Sequence, residues 1–291
     1  MLEVECIANL QNICGEGPVW SPVEQALYWV DIRAPSVCRY DSVHRLVKTW
    51  PMPEMVGSLA VRSRGGLLVA LQSKLASFDP ATMEIVPIAS PEGDLPYKRF
   101  NDGKCDRRGR FWVGTMNDVV RGDPSGALYR LSPEHRCDKM DEGFGIPNSL
   151  AWSPDDRVMY FADTFTRTIF TYAFDIESGA IRDRRTFVRV ENEPGAPDGS
   201  TVDENGFLWN AVYGGWRLHR YAPDGRIDRV IELPVSQPTS CAFGGPNLDI
   251  LYVTTAIQRL KPEELAREPL AGGLLAVDVG VKGLPEPYFT G

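Results

Sequence analysis

Short apolar runs, rich in aromatic and β-branched residues, recur along the chain with polar turn residues between them. Typical runs are Leu27-Tyr-Trp-Val-Asp31, Phe111-Trp-Val-Gly-Thr115 and Leu251-Tyr-Val-Thr-Thr255. A turn such as Ser153-Pro-Asp-Asp156 precedes each run, and Gly and Pro are spread over the whole length. Runs of this length and composition between turn residues predict β-strands joined by hairpins.

The runs repeat at a nearly constant interval. They begin at residues 27, 67, 111, 159, 208 and 251, so that neighbouring runs start 40 to 49 residues apart. Further short apolar stretches on both sides of each run indicate three or four antiparallel strands in every repeat. Six such repeats predict an all-β fold, a six-bladed β-propeller, with residues 1–291 forming a single domain.

The two chain ends suggest how the ring closes. The last repeat has no obvious fourth strand after Val277, whereas residues 2–7 form an apparent strand without a repeat of its own. We expect this N-terminal strand to complete the sixth blade, because the pairing would remove two exposed sheet edges. Residues 262–267 depart from the β pattern and predict one or two helical turns inside the last repeat.

Polar residues occupy one phase of the repeat. Glu16 and Asn148 lie 11 residues before the apolar run of their own repeats, and Asn101 and Asp198 lie 10 residues before theirs. Since the innermost strands of a propeller surround a central channel, we expect these four side chains to meet at its mouth. The other two repeats offer only Val56 or Gly57 and Ser240 or Cys241 at this phase.

Two carboxylates and two amides form an all-oxygen set of possible ligands. Such a set suits Ca²⁺, Mg²⁺ or Mn²⁺ and leaves coordination positions for water or substrate. The alternative is that each residue is an ordinary turn former bonded to nearby backbone. Arg99 lies two residues before Asn101 and therefore on the same side of an extended strand. Its guanidinium could bind substrate hydroxyls or stabilise an oxyanion, or it could simply pair with a surface acid.

Other features narrow the function. The chain has 31 basic and 39 acidic side chains and a net charge of −8, with no basic cluster, which argues against nucleic acid or a membrane as the main partner. No secretory signal, membrane span or paired-cysteine motif is apparent, so we expect a cytoplasmic protein with reduced thiols. Asp31 and Asp163, at strand ends, are predicted to be structural acids.

Several segments together resemble the senescence-marker-protein/regucalcin/gluconolactonase family over the whole chain. The resemblance implies a six-bladed propeller that binds one divalent metal and hydrolyses sugar lactones to aldonic acids. It implies metal ligands at Glu16, Asn148 and Asp198, an acid/base role for Asp198, and substrate contacts from Arg99 and Asn101. The segments are Gly15-Glu-Gly-Pro-Val-Trp20, Arg99-Phe-Asn-Asp-Gly-Lys104, Gly114-Thr-Met116, Pro147-Asn-Ser-Leu-Ala-Trp-Ser-Pro154, Pro197-Asp-Gly-Ser200 and Val281-Lys-Gly283.

One segment departs from the family pattern. Animal members carry an acidic pair soon after the Gly-Thr-Met segment, and the second acid contacts substrate. This chain has Asn117-Asp118-Val119 there, so Asp118 is the remaining candidate for a substrate contact and Val119 occupies the second place. The resemblance therefore does not assign a particular sugar.

The implied mechanism leaves alternatives open. A metal would polarise the lactone carbonyl while Asp198 takes a proton from water, but coordination lowers a carboxylate's pKa, so a metal-bound hydroxide oriented by Asp198 is a variant. The metal could be Ca, Zn, Mn, Mg or Fe. A calcium-dependent phosphotriesterase, with Asn101 as a fourth ligand, and a non-enzymatic metal-binding propeller are the competing functions. We expect a monomer or weak oligomer.

Overall fold

Antiparallel hairpins dominate the architecture, as the turn-separated apolar runs predict. The computed structural model describes residues 2–191 and 193–291, and its strands form six four-stranded sheets. The sheets are the blades of a β-propeller. Blade one contains β2 (Gly15–Ser21), β3 (Ala26–Asp31), β4 (Ser36–Asp41) and β5 (Leu46–Pro51), and β1 (Val4–Ala8) precedes it. Blade two contains β6 (Val56–Val61), β7 (Leu67–Leu71), β8 (Leu75–Asp79) and β9 (Glu84–Ala89). Blade three contains β10 (Lys98–Cys105), β11 (Phe111–Asn117), β12 (Gly126–Leu131) and β13 (Cys137–Phe144).

The second half of the chain repeats this arrangement. Blade four contains β14 (Pro147–Trp152), β15 (Val158–Asp163), β16 (Thr168–Asp175) and β17 (Ala180–Arg189). Blade five contains β18 (Ala196–Val202), β19 (Leu208–Tyr213), β20 (Arg217–Tyr221) and β21 (Ile227–Glu232). Blade six contains β22 (Pro238–Gly244), β23 (Ile250–Thr255) and β24 (Leu274–Asp278), with helix α1 (Pro262–Leu265) between the last two strands.

The N-terminal strand closes the ring, which confirms the prediction. β1 pairs antiparallel with β24, with Val4 opposite Val277 and Cys6 opposite Leu275. The order in this sheet is β1-β24-β23-β22, so the fourth strand of blade six comes from the other end of the chain. Blade six is thus held by both ends of the sequence, and β1 covers the edge that β24 would otherwise expose.

The hydrophobic core lies between neighbouring blades rather than at one centre. Each of the six blade interfaces holds a cluster of buried apolar side chains. Between blades four and five, for example, Tyr160 and Ala162 pack with Leu208 and Tyr221. This is the packing of stacked twisted sheets, in which side chains of facing surfaces interdigitate. The channel is therefore left to the polar positions of the innermost strands.

The last residues run across the carboxyl ends of the innermost strands. The Phe289 amide donates to the Val61 carbonyl at 2.9 Å, and the Tyr288 hydroxyl lies 3.1 Å from that of Ser21. Lys104 forms an ion pair of 3.2 Å with Glu286. This C-terminal segment, residues 281–291, covers one mouth of the channel and leaves the other mouth, at the amino ends of the innermost strands, for the predicted site.

Two smaller predictions are also confirmed. The segment expected to be helical forms α1, and all six cysteines are free thiols. Over the described ranges, the structure has no helix with the length and apolar character needed to span a membrane.

Candidate metal and substrate site

The innermost strands are bulged at the level of the predicted site residues. Pairing between β2 and β3 is interrupted after Glu16, and pairing between β14 and β15 is interrupted after Asn148. The register of β10 shifts between Phe100 and Gly103, and that of β18 between Pro197 and Ser200, so these bulges contain Asn101 and Asp198. A bulge breaks the alternation of a strand and re-aims its side chains. The repeated bulges therefore turn four polar side chains into the channel.

The structure brings all six predicted site residues to one cleft. Glu16, Asn148 and Asp198, the predicted metal ligands, line a cavity of about 80 Å³. The cavity is also lined by the predicted substrate-contacting residues, which are Arg99, Asn101 and Asp118. Their roles remain predictions, but their convergence follows from the fold.

A larger groove lies on the outside of the ring, between blades four and five. It has a volume of about 740 Å³ and is lined by residues that include Asp155, Arg157 and Tyr160. The charged groups there are solvated, since the Asp155 and Arg157 side chains are 62% and 84% exposed. The channel is therefore the candidate functional site, because buried polar groups that converge on one point create a strong demand for a ligand.

Two buried acids lie at the centre of the cleft. One carboxylate oxygen of Glu16 accepts a hydrogen bond of 2.9 Å from the Gly17 amide. The Oδ1 atom of Asp198 is buried and has no hydrogen-bond partner among the described residues. An unsatisfied buried carboxylate oxygen is costly. A bound cation would satisfy this oxygen and offset the repulsion between the two acids.

The pKa values of the two acids also favour a bound cation. Burial and the charge of Asp102 raise the pKa of Glu16 to about 8, against the opposing effects of the Gly17 amide and Arg99. Burial, Glu16 and Asp102 raise the pKa of Asp198 well above its ordinary value. The acids thus resist ionisation unless a positive charge joins them.

The two amides form a chain of hydrogen bonds from blade three to blade five. Arg99 donates to Asn101 Oδ1 at 2.6 Å, and Asn101 Nδ2 donates to Asn148 Oδ1 at 2.9 Å. Asn148 Nδ2 donates to Thr164 Oγ1 at 2.7 Å, and Thr164 donates to the Pro197 carbonyl at 2.7 Å. The chain fixes both amides and leaves Asn148 Oδ1 a second lone pair for a ligand.

The donor set fits a cation that prefers oxygen ligands. Within residues 2–191 and 193–291 no cluster of three or more His, Cys, Asp or Glu side chains has the geometry of a metal site. The predicted ligand set consists of two carboxylates, Glu16 and Asp198, and the amide oxygen of Asn148. Hard cations such as Ca²⁺ and Mg²⁺ accept mixtures of carboxylate, amide and water oxygens. The residues present therefore fit a divalent metal.

Asp118 forms ion pairs with two arginines. Arg33 binds it in a bidentate manner, at 2.8 and 2.5 Å, and Arg99 Nε donates to it at 2.7 Å. Although burial opposes ionisation, these guanidinium groups hold the pKa of Asp118 below its ordinary value. Asp118 thus orients Arg99, and a direct contact with substrate would have to share oxygens that already accept hydrogen bonds.

Sequence reasoning missed a third buried acid, Asp102. Its Oδ2 atom accepts a hydrogen bond of 3.3 Å from the Leu150 amide, and its charge raises the pKa values of Glu16 and Asp198. The sequence offers one signal that Asp102 belongs to the site, which is its position directly after Asn101. Strict strand alternation places neighbouring side chains on opposite faces, but the bulge in β10 removes that alternation.

The backbone around Asp198 is held by polar residues that the sequence did not single out. Ser149 has a φ of 65°, a strained conformation for a residue other than glycine. Its hydroxyl donates to the Asp198 carbonyl at 2.7 Å, and Asn210 Nδ2 donates to the same carbonyl at 2.9 Å. Since strain persists only where surrounding contacts enforce it, these bonds mark the Asp198 bulge as a fixed feature.

Asp31 and Asp163 are structural acids, as predicted. Asp31 accepts hydrogen bonds from the backbone of Ile13 and Cys14 at 2.7 and 3.0 Å, just before β2. Asp163 accepts hydrogen bonds from the amides of residues 145 and 146, just before β14, at 3.1 and 2.9 Å. The two acids hold equivalent loops and so help to place Glu16 and Asn148.

Blades two and six contribute close packing instead of ligands. A Cβ atom on Gly57 would lie 2.4 Å from the Phe100 carbonyl oxygen, and one on Gly199 would lie 2.0 Å from Ser240 Oγ. The absence of a side chain at Gly57 lets β6 approach the bulge of β10. The small residues at this phase therefore set the width of the channel mouth.

The chain is similar to known proteins over its full length. The profile of the family described as SMP-30/Gluconolactonase/LRE-like region matches residues 14–257. Regucalcin from Homo sapiens is 36% identical over 296 aligned positions, which cover 100% of this chain and 99% of the relative. The crystal structure of a calcium-binding protein, regucalcin, from Agrobacterium tumefaciens superposes with a TM-score of 0.94 at 29% identity, covering 99% of this chain and 97% of that one. A luciferin-regenerating enzyme superposes with a TM-score of 0.92 at 31% identity, covering 100% of both chains.

Proposed function

Because the chain belongs to the SMP-30/gluconolactonase/LRE-like family, we propose that it is a metal-dependent lactonase that opens a sugar lactone to the aldonic acid. The observation that carries the proposal is the buried Asp198 Oδ1 atom without a hydrogen-bond partner among the described residues, beside Glu16 and two amides. This arrangement needs a cation and presents it to an open cleft.

The metal would be held by Glu16, Asn148 and Asp198. When bound, it supplies a Lewis acid that polarises the lactone carbonyl. Glu16 and Asp198 provide two negative charges that balance a divalent ion, and Asn148 provides a neutral oxygen. Asn101 donates to Asn148 Oδ1 and orients that amide for binding.

Asp198 and Arg99 would carry the remaining steps. Neither carboxylate oxygen of Asp198 accepts a hydrogen bond from the described residues, so one oxygen can bind the cation while the other orients the attacking water and accepts its proton. Arg99 uses Nε and one terminal nitrogen to bind Asp118, Phe100 and Asn101. Its other terminal nitrogen has no hydrogen bond to the described residues and can donate to an oxygen of the substrate.

A second candidate is a metal-binding protein without catalysis, which is favoured by the description of the Agrobacterium tumefaciens relative as calcium-binding. The first experiment separates the two. Metal-free protein is screened for a rise in melting temperature with Ca²⁺, Mg²⁺, Mn²⁺, Zn²⁺ and Fe²⁺. The loaded protein is then tested for acid release from xylono-, arabinono-, galactono- and gluconolactone, and for hydrolysis of an organophosphate triester. Stabilisation without any turnover would leave the binding protein as the answer.

We predict that Asp198→Asn lowers lactone turnover by roughly a thousandfold, the scale of a lost general base, while the fold remains intact. Turnover with saturating metal and the melting temperature are measured together. Asp224→Asn is the matched control, since Asp224 is 67% exposed on a hairpin of the same blade and should behave as the parent protein. Near-normal turnover of Asp198→Asn with metal bound would rule out its acid/base role.

A further inference from the structure

The wall of the cleft is richer in positive charge than the protein as a whole. The chain carries a net charge of −8. The charged residues that line the cleft are Glu16, Asp118, Asp198, Arg33, Arg99, Arg121 and Arg259. Four cationic groups and three acids thus line the cleft, and Asp102 is buried beside these acids, so the charges balance until a divalent metal adds two positive charges. The metal-loaded cleft is then locally positive in an acidic protein and attracts anions.

Two of these arginines are uncommitted. Arg33 and Arg99 are engaged by Asp118, as described above. Arg121 and Arg259 are exposed and make no hydrogen bond or ion pair with the residues that the structure describes. Most other arginines among the described residues have a carboxylate or carbonyl partner. The guanidinium groups of Arg121 and Arg259 have none there, so they are available to a ligand at the cleft.

The loop that presents Arg121 is ordered by its own contacts. The Asn117 side-chain oxygen accepts hydrogen bonds from the amides of Val119 and Val120 at 2.9 and 2.8 Å. Asn117 Nδ2 donates to Asp123 at 2.9 Å, which ties the two ends of the loop together. Arg121 lies between these ends, so the base of its side chain is held at the rim of the cleft.

Arg259 is presented from the opposite blade. It has a φ of 67°, in the left-handed region that is strained for a residue other than glycine. The amides on both sides hold the turn, with Gln258 donating to the Ile13 carbonyl at 2.9 Å and Leu260 donating to the Ile257 carbonyl at 3.1 Å. Arg121 follows β11 of blade three and Arg259 follows β23 of blade six. The two guanidinium groups therefore flank the mouth from opposite sides of a six-membered ring.

We propose that the physiological substrate is an anionic sugar lactone, whose carboxylate or phosphate group is bound by Arg121 and Arg259 at the mouth of the cleft. This inference rests on the proposed lactonase function. A neutral lactone would leave both guanidinium groups without a partner, whereas an anion at the rim gains charge-assisted hydrogen bonds. Arginine forms bidentate contacts with carboxylate and phosphate alike, so the structure identifies the charge and the experiment identifies its source.

The test compares three lactones that differ in charge. Glucono-1,5-lactone is neutral, its 6-phosphate carries a phosphate, and a hexaric acid lactone carries a carboxylate. We expect kcat/KM for at least one anionic lactone to exceed that of the neutral one by about tenfold or more, the scale of a hydrogen bond to a charged group. This preference should shrink as NaCl is raised. Whichever anionic lactone is preferred identifies the group.

Substitutions of Arg121 and Arg259 test whether these residues cause the preference for anionic lactones. Arg121→Gln and Arg259→Gln, singly and together, should lower the ratio of anionic to neutral kcat/KM, and the double variant should lower it most. Arg226→Gln is the matched control, because it removes the same charge from an exposed hairpin of blade five, where the Arg226 side chain is 73% exposed. Equal kcat/KM for all three lactones, with a ratio that the variants do not change, would overturn the inference and leave the lactonase function standing.

A binding measurement separates the two proposals. Calorimetric titration of the metal-loaded protein with neutral glucitol, glucitol 6-phosphate and gluconate needs no turnover. If no lactone is hydrolysed, the proposed function fails. Binding of an anionic ligand that is tighter than that of glucitol and is weakened in the double arginine variant would still support the anion site, whereas equal binding of all three ligands would exclude it.

Discussion

The two mouths of the channel are built from the two ends of the same six strands, yet they differ in how well their polar groups are paired. At the amino ends, Glu16 and Asp198 are buried acids with an unmet demand for a partner. At the carboxyl ends, Lys104 and Glu286 form an ion pair with side chains only 11% and 10% exposed, and Lys104 also donates to the Ser200 carbonyl.

The difference separates function from stability. Unpaired buried charge destabilises a fold and is retained only where a ligand completes it. Paired buried charge under a covering segment holds parts of the molecule together, and its loss leaves a charge stranded. We therefore expect substitutions at the first mouth to affect binding and turnover, and substitutions at the second mouth to affect stability.

The largest loss of stability should come from opening the ring, because both mouths depend on its closure. Removal of residues 2–9 takes away β1, exposes the edge of β24 and uncovers apolar side chains such as Tyr252 and Leu274, which cluster with Ile7 and Ala8. We expect a loss on the order of 5 kcal/mol and a melting temperature lower by about 10 °C, even with saturating metal.

Differential scanning calorimetry of this truncation is compared with removal of residues 2–3 alone. Those two residues precede β1 and are exposed, so their loss should change little. An unchanged melting temperature for the longer truncation would show that the N-terminal strand does not hold the ring closed.

The next largest loss of stability should come from breaking the Lys104–Glu286 ion pair at the covered mouth. Glu286→Ala leaves the buried Lys104 without its carboxylate and should destabilise the protein by on the order of 3 kcal/mol, while kcat per folded molecule stays close to that of the parent. Urea unfolding and lactone turnover provide the two readouts. Lys104→Met combined with Glu286→Leu should recover much of the stability, because it removes both charges. A loss of turnover without a loss of stability would reverse the assignment of the two mouths.

A third effect concerns the pH dependence of stability in the absence of metal. The pKa of Glu16 is raised to about 8 in the fold, compared with an ordinary value of 4.5, so ionisation is easier in the unfolded chain. Stability of the metal-free protein is therefore greatest below about pH 4.5, as far as this group is concerned, and declines as pH rises towards and through about 8.

Melting temperatures of metal-free protein between pH 5 and pH 9 measure this decline. Glu16→Gln should flatten the profile, and a saturating divalent metal should abolish the decline because the cation neutralises the acids. Asp118 provides a contrast within the same cleft, since its lowered pKa contributes stability that is lost only on acidification. A metal-free protein that gains stability with rising pH over this range would contradict the electrostatic description of the site.

Much of this molecule could be predicted from the sequence because the repeat converts position along the chain into position around a ring. The interval between apolar runs predicted six blades, and the shared phase of Glu16, Asn101, Asn148 and Asp198 placed them at one mouth. Arg99 lies beside Asn101 as strand alternation predicts, and donates to its side-chain oxygen. These inferences needed only periodicity, which local sequence carries directly.

The rest depended on contacts between segments far apart in the chain. Bulges moved Asp102 to the acids of the site, hydrogen bonds from Ser149 and Asn210 fixed the backbone of Asp198, and two loops on opposite blades brought Arg121 and Arg259 to one cleft. A sequence determines which residues each strand offers to the channel. Only the tertiary structure decides which of them lack partners, because burial, pKa and pairing arise from neighbours that approach when the ring closes.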